Sequence, residues 1–221
     1  TARKQIELPG SAFLLHQGVV PNIQVTRALQ LAHVWDDSQH CFHPVLDEWG
    51  KTSADRIYVA GDNARIGGAI AAEHAGQLSA IGALHQLGLI NQSQRAGMST
   101  APRKALRAAC GARPFLDALY SPSAQVLHPS DETIVCRCES VTAGDVRRYA
   151  QLGCTGPNQT KAFSRVGMGP CQGRYCALTV TQILADEHAM SHDAVGSYRI
   201  RAPLKTVTLG EVASVANNSP D

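Results

Sequence analysis

The sequence predicts an α/β region followed by a small, mainly α-helical domain. In the first region, a strand-like segment at residues 56–60 ends in Gly61-Asp62, and an alanine-rich helical stretch follows Gly67-Gly68. From Thr133 onward, short strand and helix patterns alternate around two close pairs of cysteines. The intervening stretch is rich in Ser, Gln, Gly and Pro, which is typical of a connector. These observations divide the chain into residues 1–95, 96–129, 130–190 and 191–221.

The first region reads as part of a larger α/β domain. Residues 5–8 run into a strand-like apolar stretch at 11–16, with no helix cap or domain opening before it, and Gly18 and Pro21-Asn22 then predict a turn. Residues 56–60 predict a second strand, and residues 69–87 predict a helix that Gly88 ends. The chain therefore reads as if it begins inside a domain.

The later regions contain shorter elements. Within 96–129 we expect one short basic helix, at 103–109. From Thr133 we expect a strand, a helix at 142–152, a short helix near 159–163, a glycine-rich turn and a helix ending near His188. Thr142 and Asp145 have the spacing of a capping box, with Asp in the place of the usual Glu or Gln. Residues 197–221 predict a mostly extended, polar tail.

The composition is that of an ordinary soluble protein. Of the 221 residues, 44% are hydrophobic and 17% charged, and the formal net charge of +2 with no basic tract gives no indication of a nucleic-acid partner. Polar residues interrupt the longest weakly polar stretch, 66–90, so we expect no transmembrane segment. No apolar signal-peptide core follows Thr1, and a cytoplasmic location is the expectation.

Seven cysteines, an odd number, argue against a framework made only of disulfides. Cys136 and Cys138 lie two apart in an extended segment, so both sulfurs can face one site. Cys171 and Cys176 lie in a glycine-rich turn, whose backbone N–H groups can hydrogen-bond thiolates and thereby raise the potential of an iron–sulfur cluster. The helix after Cys176 would direct its positive end at an anionic centre. Four thiolates in this pattern predict a 2Fe–2S cluster.

Other interpretations of the cysteines stay open at this point. Structural zinc is the strongest of them, although a one-residue gap fits its usual C-x2–4-C spacing poorly. Disulfide bonds or purely structural cysteines are the others. Cys41, Cys110 and Cys154 are expected to be small buried residues. Three irregularly spaced histidines and two tryptophans are expected to pack rather than to bind a metal: His33, His40, His43, Trp35 and Trp49.

A family resemblance supports the cluster. The motifs IVCRCE at 134–139, GCT at 153–155 and GMGPCQGR at 167–174 resemble the 2Fe–2S domain related to bacterioferritin-associated ferredoxin. They are most similar to the version in the A (alpha) subunits of opine oxidases and D-hydroxyproline dehydrogenases, with related segments in hydrogen cyanide synthase and heterotetrameric sarcosine oxidase. The resemblance covers residues 130–190. It implies that the cluster ligands are Cys136, Cys138, Cys171 and Cys176, although the gap between the last two is wider than the C-x-x-C of the small ferredoxin.

The first region has a resemblance of its own. TSADRIYVAGD at 52–62 resembles the second flavin signature of flavoproteins with two dinucleotide-binding domains. HQGVVPN at 16–22 resembles the stretch where such chains return from the NAD(P)-like domain to the FAD domain. The resemblance implies that Asp62 accepts a hydrogen bond from the ribityl chain and that the next helix points its N-terminus at the flavin. The FAD-binding residues that it implies are Pro21, Asn22, Gly61, Asp62, Gly67, Gly68, Ala69 and Ile70.

One part of an FAD site is missing from the sequence. No G-x-G-x-x-G follows a strand, so we do not expect the ADP-binding half of the site within this chain. The resemblance places that half in an upstream FAD/NAD(P)-like segment, in one longer polypeptide or on a separate chain. We therefore interpret the α/β region as the C-terminal part of a two-dinucleotide-binding-domain flavoprotein, followed by a small, mainly α-helical 2Fe–2S domain.

The resemblance implies an electron-transfer subunit. In such complexes a catalytic flavoprotein B (beta) subunit oxidises an opine or D-hydroxyproline, and a small ferredoxin-like subunit is a further expected partner. We therefore expect an FAD-dependent oxidoreductase subunit that acts on CH–NH donors. Two alternatives are an NAD(P)H-dependent flavoprotein reductase with an appended cluster domain and a non-enzymatic module that binds zinc or a cluster. No catalytic residue is identifiable from the sequence.

Overall fold

The structure, a computed structural model, describes residues 7, 9–12, 14, 16 and 18–217. These residues form ten α-helices and four short strands. The helices are α1 Gln24–Ala28, α2 Ala69–Gln86, α3 Gln92–Cys110, α4 Arg113–Leu119, α5 Ala124–Leu127, α6 Ala143–Gln151, α7 Pro157–Ser164, α8 Ala177–His188, α9 His192–Val195 and α10 Leu209–Asn217. The strands are β1 His33–Asp36, β2 Cys41–Pro44, β3 Ile134–Cys136 and β4 Val141–Thr142. Within the described ranges, no helix has the length and apolar character needed to cross a membrane.

The first sheet is a hairpin that the sequence did not predict. β1 and β2 pair antiparallel, with Asp36 opposite Cys41. Asp36 accepts hydrogen bonds from both the backbone N–H and the hydroxyl of Ser38, which tightens the turn between the strands. The side chains of Cys41 and Phe42 are buried, and the Arg27 guanidinium lies 4.6 Å above the Phe42 ring centroid. Contacts of its buried side chains, and not a pattern in the sequence, therefore stabilise the hairpin.

A pair of long helices forms the first core. α2 confirms the helix expected at 69–87, and Gly88 follows it with a φ of +72°, a conformation that glycine adopts readily. α3 packs along α2, and the contact buries Trp49, Leu78 and Ile81. Trp49 also lies under the guanidinium groups of two α3 residues, at 4.7 and 4.3 Å from its ring.

Helix α3 corrects the expectation of a short helix at 103–109. It begins well before that range, because Asn91 and Gln94 form a reciprocal capping box that satisfies the free N–H groups of its first turn. Pro102 lies inside the helix and is buried. The Ser, Gln and Gly residues that indicated a connector are therefore helical, held by packing on α2. The division at residues 96 and 129 remains a prediction.

The strand expected at 56–60 is not formed. Tyr58 makes a single antiparallel bridge to Lys51, where the Thr52 N–H donates to the Ile57 carbonyl oxygen and the Val59 N–H to that of Gly50, and the pairing extends no further. A strand needs a neighbour along its whole length, and the pattern of side chains alone does not supply one. Gly61 to Asn63 then form one turn of 3-10 helix. The other strand-like stretch, at 5–8 and 11–16, lies largely outside the described residues, and those of it that are described are not in a strand.

The second core lies in the region that carries the cysteine pairs. Val146 of α6 and Val180 and Leu184 of α8 are fully buried, together with Val166 from the glycine-rich turn. α6 confirms the helix expected at 142–152, and the capping box of Thr142 and Asp145 is present at its start. α7 and α8 confirm the two helices expected after it. β3 and β4 pair antiparallel with a bulge at the first cysteine pair.

The C-terminal region is not the extended tail that the sequence indicated. α9 follows α8 closely, and Tyr198 and Ile200 are buried in the second core. α10 then spans Leu209–Asn217, with Leu209 and Val215 exposed. Part of the tail therefore belongs to the core, because alternate residues from 198 to 200 face inward. Residues 218–221 lie outside the described part of the chain.

The two cores meet through the hairpin. The Trp35 indole of β1 stacks on the His192 imidazole of α9, with ring centroids 3.9 Å apart and an interplanar angle of 5°. The Trp35 backbone N–H donates to Asp193 Oδ1 at 2.9 Å, across 158 residues of sequence. One aromatic stack and one hydrogen bond thus join the first strand to the region after α8.

Candidate functional site

The structure brings the four predicted cluster cysteines to one glycine-rich loop. β3 ends at Cys136, and Cys138 follows in the turn before β4. Cys171 lies in the turn between α7 and α8, and Cys176 directly precedes α8 as its N-cap residue. The pairing of β3 with β4, and of α8 with the core, therefore places both cysteine pairs at one end of the second core.

Close packing of glycines holds the two cysteine pairs together. A Cβ on Gly169 would overlap the Cys138 side chain, so only glycine allows this approach of the loop to the first pair. Gly167 and Gly173, both with a φ of +80°, pack against the Tyr198 ring. A Cβ on Gly173 would lie 2.6 Å from Tyr198 Cδ2. The ring of Tyr198 thus supports the loop from beneath.

Backbone N–H groups surround the sulfur of Cys171. Burial alone would raise the pKa of the Cys171 thiol. Hydrogen bonds from the backbone N–H groups of Tyr175, Gly173 and Arg174, together with one from the Cys138 thiol, outweigh burial and hold that pKa below its ordinary value. This set of donors is the arrangement that stabilises a thiolate or a metal-bound sulfur.

The Cys138 sulfur interacts with the same loop. The backbone N–H of Cys171 lowers the pKa of the Cys138 thiol, but the Cys171 thiol, partial desolvation and the charge at Cys136 outweigh it, so the pKa is raised. The two sulfurs therefore interact directly, and their ionisations are coupled.

The other two cysteines are deeply buried. Cys136 and Cys176 are 2% and 1% exposed, whereas Cys138 is exposed and Cys171 partly buried. Burial, followed by the neighbouring charge at Cys136, raises the pKa of the Cys176 thiol to about 12. The Tyr198 hydroxyl contacts the Cys176 sulfur at 4.0 Å, and burial raises the pKa of that phenol as well. The loop thus has a buried pair and a more exposed pair of sulfurs.

The remaining cysteines lie elsewhere. Cys41 is buried in the hairpin, Cys154 in the turn after α6, and Cys110 ends α3. All seven cysteines are free thiols. Within the described residues, no three or more His, Cys, Asp and Glu side chains are grouped so that they could hold a metal ion.

Two of the predicted flavin residues line a large cavity in the first region. Gly61 and Gly67 line a cavity of about 670 Å³ together with Ala71 of α2 and Cys110 of α3. Gly68, with a φ of +94°, precedes the first residue of α2, and a Cβ there would meet nothing within 4 Å. Asp62, Ala69 and Ile70 are exposed beside it, on the 3-10 turn and the first turn of α2. The N-terminus of α2 is therefore accessible, as binding of a flavin at this helix end would require.

Pro21 and Asn22 are not placed on that cavity. Both line a cavity of about 250 Å³ against Gly173, Tyr175 and Tyr198 of the cysteine-bearing region. Pro21 is buried there, and Asn22 Oδ1 accepts a hydrogen bond from the Gln24 backbone N–H. Of the eight predicted flavin residues, Gly61 and Gly67 line the large cavity, whereas Pro21 and Asn22 line a different one.

Sequence reasoning missed several residues of these sites. Tyr198 was assigned to the tail, although its alternation with exposed Arg199 and buried Ile200 is a period-two signal. The large cavity is also lined by Arg113 and Asp117 of α4, which form an ion pair, and by Gln39, whose side-chain amide donates to the Ile66 carbonyl oxygen. Contacts of residues this far apart in sequence leave no local pattern.

Comparisons with known proteins agree with part of this picture. Residues 130–216 match the family described as sarcosine oxidase A3 domain. The A subunit of opine oxidase from Rhizobium meliloti is 44% identical over 220 residues, covering 99% of this chain and 42% of the relative. Its counterpart from Agrobacterium tumefaciens (strain Ach5) is 46% identical over 215 residues, covering 96% and 42%. The chain is homologous to opine oxidase A subunits.

The chain spans less than half the length of these curated relatives. The fold is a mixture of helices and strands similar to part of a solved chain, L-proline dehydrogenase from P. horikoshii. The TM-score is 0.66 at 22% identity, with coverage of 87% of this chain and 37% of that one. The expected resemblance to opine oxidase A subunits is confirmed, whereas the ferredoxin-like interpretation of residues 130–190 and the residues of both cofactor sites remain predictions.

Proposed function

We propose that this chain carries the cluster-binding and part of the flavin-binding machinery of an electron-transfer subunit in a heteromeric oxidoreductase. The enzyme complex would oxidise an amine or imino acid of the opine or D-hydroxyproline type. The observation that carries the proposal is the approach of the two cysteine pairs, where Gly169 lies against Cys138 and backbone N–H groups donate to the sulfurs of Cys171 and Cys138.

The donor set fits a 2Fe–2S cluster. Such a cluster takes four thiolates, and Cys136, Cys138, Cys171 and Cys176 interact with one another across the loop. The glycine at 169 admits the first cysteine pair, where any side chain would collide with it. A binuclear cluster distributes its ligands over two iron atoms, so it does not require three side chains around one ion. When bound, the cluster would supply one-electron transfer, while the loop would hold its sulfurs and exclude water from the buried pair.

The cavity in the first region fits part of an FAD site. Open space at the N-terminus of α2 and the glycines at 61, 67 and 68 allow the close approach of a planar ring. The positive end of α2 would stabilise negative charge there, and the Asp62 carboxylate would accept a hydrogen bond from a ribityl hydroxyl. FAD bound here would supply two-electron acceptance. Residues for its ADP half would come from the upstream FAD/NAD(P)-like segment.

The relatives support the assembly and the substrate class. Their names denote one subunit of an opine oxidase, which implies further subunits in those proteins. We infer that the partner that oxidises the substrate is a catalytic flavoprotein B (beta) subunit, and that a small ferredoxin-like subunit joins the complex. Residues of this chain then receive electrons rather than contact the amine.

Alanine substitution of each cysteine tests the cluster. In the full-length protein in complex with its partners, Cys136→Ala, Cys138→Ala, Cys171→Ala and Cys176→Ala should each abolish or severely reduce iron and acid-labile sulfide and bleach the visible cluster bands. Metal ligation is coupled to local folding, so these variants should also loosen the second core while FAD content is retained.

The other three cysteines provide matched controls. Cys41→Ala, Cys110→Ala and Cys154→Ala should keep iron, sulfide and spectrum, although the two buried ones should lose some stability. If Cys176→Ala keeps full iron while Cys154→Ala loses it, the fourth ligand is wrong. Stoichiometric zinc in place of iron in the native protein would reject the electron-transfer function.

A further inference from the structure

The cysteine loop has one accessible side. Cys138 is exposed and Cys171 partly so, whereas Cys136 and Cys176 are almost completely buried. A group held by all four sulfurs would therefore meet solvent through the first two. Because electron exchange between proteins requires close approach of the redox groups, the Cys138 side is where an external partner would have to contact this region.

Basic residues surround this side. Arg137 lies between the cysteines of the first pair and is exposed. Arg165 donates to Glu139 Oε2 at 2.8 Å, next to the first pair, and Arg174 donates to the Cys171 carbonyl oxygen at 3.0 Å. These contacts place the guanidinium groups of Arg165 and Arg174 beside the two cysteine pairs.

A second basic group adjoins the first. Lys161 lies 5.8 Å from the centre of the Tyr198 ring, which supports the cysteine loop. Arg201 and Arg199 are close enough to repel the Lys161 ammonium, and both are exposed. The side-chain amide of Gln172 binds the Pro203 carbonyl oxygen, so this segment runs beside the loop. We call the whole surface the basic face; its residues are Lys161, Arg165, Arg174, Arg199 and Arg201.

Several acidic residues of the same region are paired with other groups. Within the described residues, Asp131 and Glu187 pair with Arg147, and Asp145 pairs with Arg148. Asp193 binds the Trp35 backbone at the junction of the cores. Glu139 is the carboxylate shown in contact with the basic face, where it neutralises Arg165. The whole chain has a net charge of only +2, so a group of basic side chains such as this one is a local excess of positive charge.

Apolar side chains are exposed within the same surface. Met168 precedes Gly169 in the cysteine loop and is 52% exposed, and Tyr175 precedes Cys176 and is 86% exposed. A few apolar contacts inside a charged border are typical of protein–protein recognition, where charge increases the association rate and aligns the partners. Binding to a lipid surface or to a nucleic acid would not require charged residues around exposed apolar side chains beside the cysteine loop.

We propose that the basic face is the docking surface for an acidic one-electron carrier protein. The proposal rests on the cluster of the proposed function and adds the partner's chemistry and its point of contact. A cluster held by the four sulfurs would give one electron to the oxidised carrier, so that the cluster would be oxidised and the carrier reduced by one electron. No proton or group is transferred.

Charge reversal on the basic face tests the proposal. The double variant Arg199→Glu/Arg201→Glu changes two exposed side chains, and Lys104→Glu/Arg107→Glu changes the same charge on exposed residues of α3. Binding of a small acidic flavodoxin to the full-length protein in its complex is measured by calorimetry at low and high salt, with a small basic cytochrome c as the comparison probe.

We expect the loss of flavodoxin affinity to depend on which surface is changed and on the salt concentration. Flavodoxin binding should weaken at least about tenfold in the basic-face variant and change less than about twofold in the α3 variant, and added salt should reduce the difference. The variants should keep iron, sulfide and visible spectrum, which separates a docking defect from a cluster defect. Native protein without a cluster would reject the proposed function, whatever the binding result.

Three results would overturn the docking proposal. Flavodoxin binding that is equally weakened by both double variants would show a nonspecific charge effect. Cytochrome c binding as tightly as flavodoxin would show that acidity of the partner is irrelevant. Retention on anionic phosphatidylserine vesicles that is lost only in the basic-face variant, without any effect on flavodoxin, would assign the surface to a membrane.

Discussion

Replacing Gly173 with alanine should destabilise the cysteine loop for two separable reasons. Gly173 has a φ of +80°, where an alanine costs about 1–2 kcal/mol. The added Cβ would also lie 2.6 Å from Tyr198 Cδ2 and 3.0 Å from Cε2, and Tyr198 is only 3% exposed, so its ring cannot move aside freely. Overpacking of this kind costs about 1–3 kcal/mol. Gly173→Ala should therefore lower the free energy of unfolding by about 2–5 kcal/mol.

Gly153→Ala is the matched control in the same region. Its φ of +102° is no better suited to alanine, but a Cβ there meets nothing within 4 Å. The control should show the backbone cost alone, so the two variants should differ by about 1–3 kcal/mol. Urea unfolding followed by far-ultraviolet circular dichroism measures both. Equal midpoints and slopes for the two variants would refute the packing of Tyr198 beneath the loop.

Three further predictions concern other parts of the chain. Asp62→Ala should cost about 1–3 kcal/mol of FAD affinity in the full-length protein, measured by flavin fluorescence titration; normal affinity with lower stability would make Asp62 only a turn former. Thr142→Ala should cost about 1 kcal/mol of unfolding free energy. Hydrogen bonds from the Thr142 backbone N–H and then from its hydroxyl lower the pKa of Asp145 below the ordinary 3.8. The stability that this carboxylate contributes should therefore be lost as the pH falls through that lowered pKa. A series of melting temperatures against pH in which Asp145→Asn behaves like the native chain would contradict this. His192→Ala should remove about 0.5–1.5 kcal/mol of stacking and shift the emission of Trp35 to longer wavelength; an unchanged spectrum would exclude the stack.

Local signals in the sequence predicted four of the ten helices, α2, α6, α7 and α8. Gly88 after α2 and the capping box of Thr142 and Asp145 are sequence features whose energetic effect is confined to one helix end. The cysteine pairs were also recognisable, because the spacing of each pair reflects local backbone geometry. The structure places these pairs at one loop, as the sequence indicated, although it does not test what they bind.

The errors concern elements that depend on distant residues. Residues 56–60 have the composition of a strand, but a single bridge to Lys51 gives no ladder. α3 contains residues of low helix propensity and is stabilised by packing on α2, so propensity gave too short a helix. The sequence around Tyr198 indicates a polar tail. In the structure Tyr198 contacts Gly167 and Gly173 and belongs to the core. Tertiary contacts outweigh local preference in all three cases.

The junction at Trp35 has a consequence for biosynthesis. Its hydrogen-bond partner, Asp193, is translated 158 residues later, an interval of about 10–30 s at ordinary ribosome speeds. During that interval the indole of Trp35 has no His192 to stack on, and the hairpin carries an uncovered aromatic face. The final assembly of this chain is therefore postponed until α9 leaves the ribosome, and the waiting hairpin is the part of the nascent chain where chaperone protection would matter most.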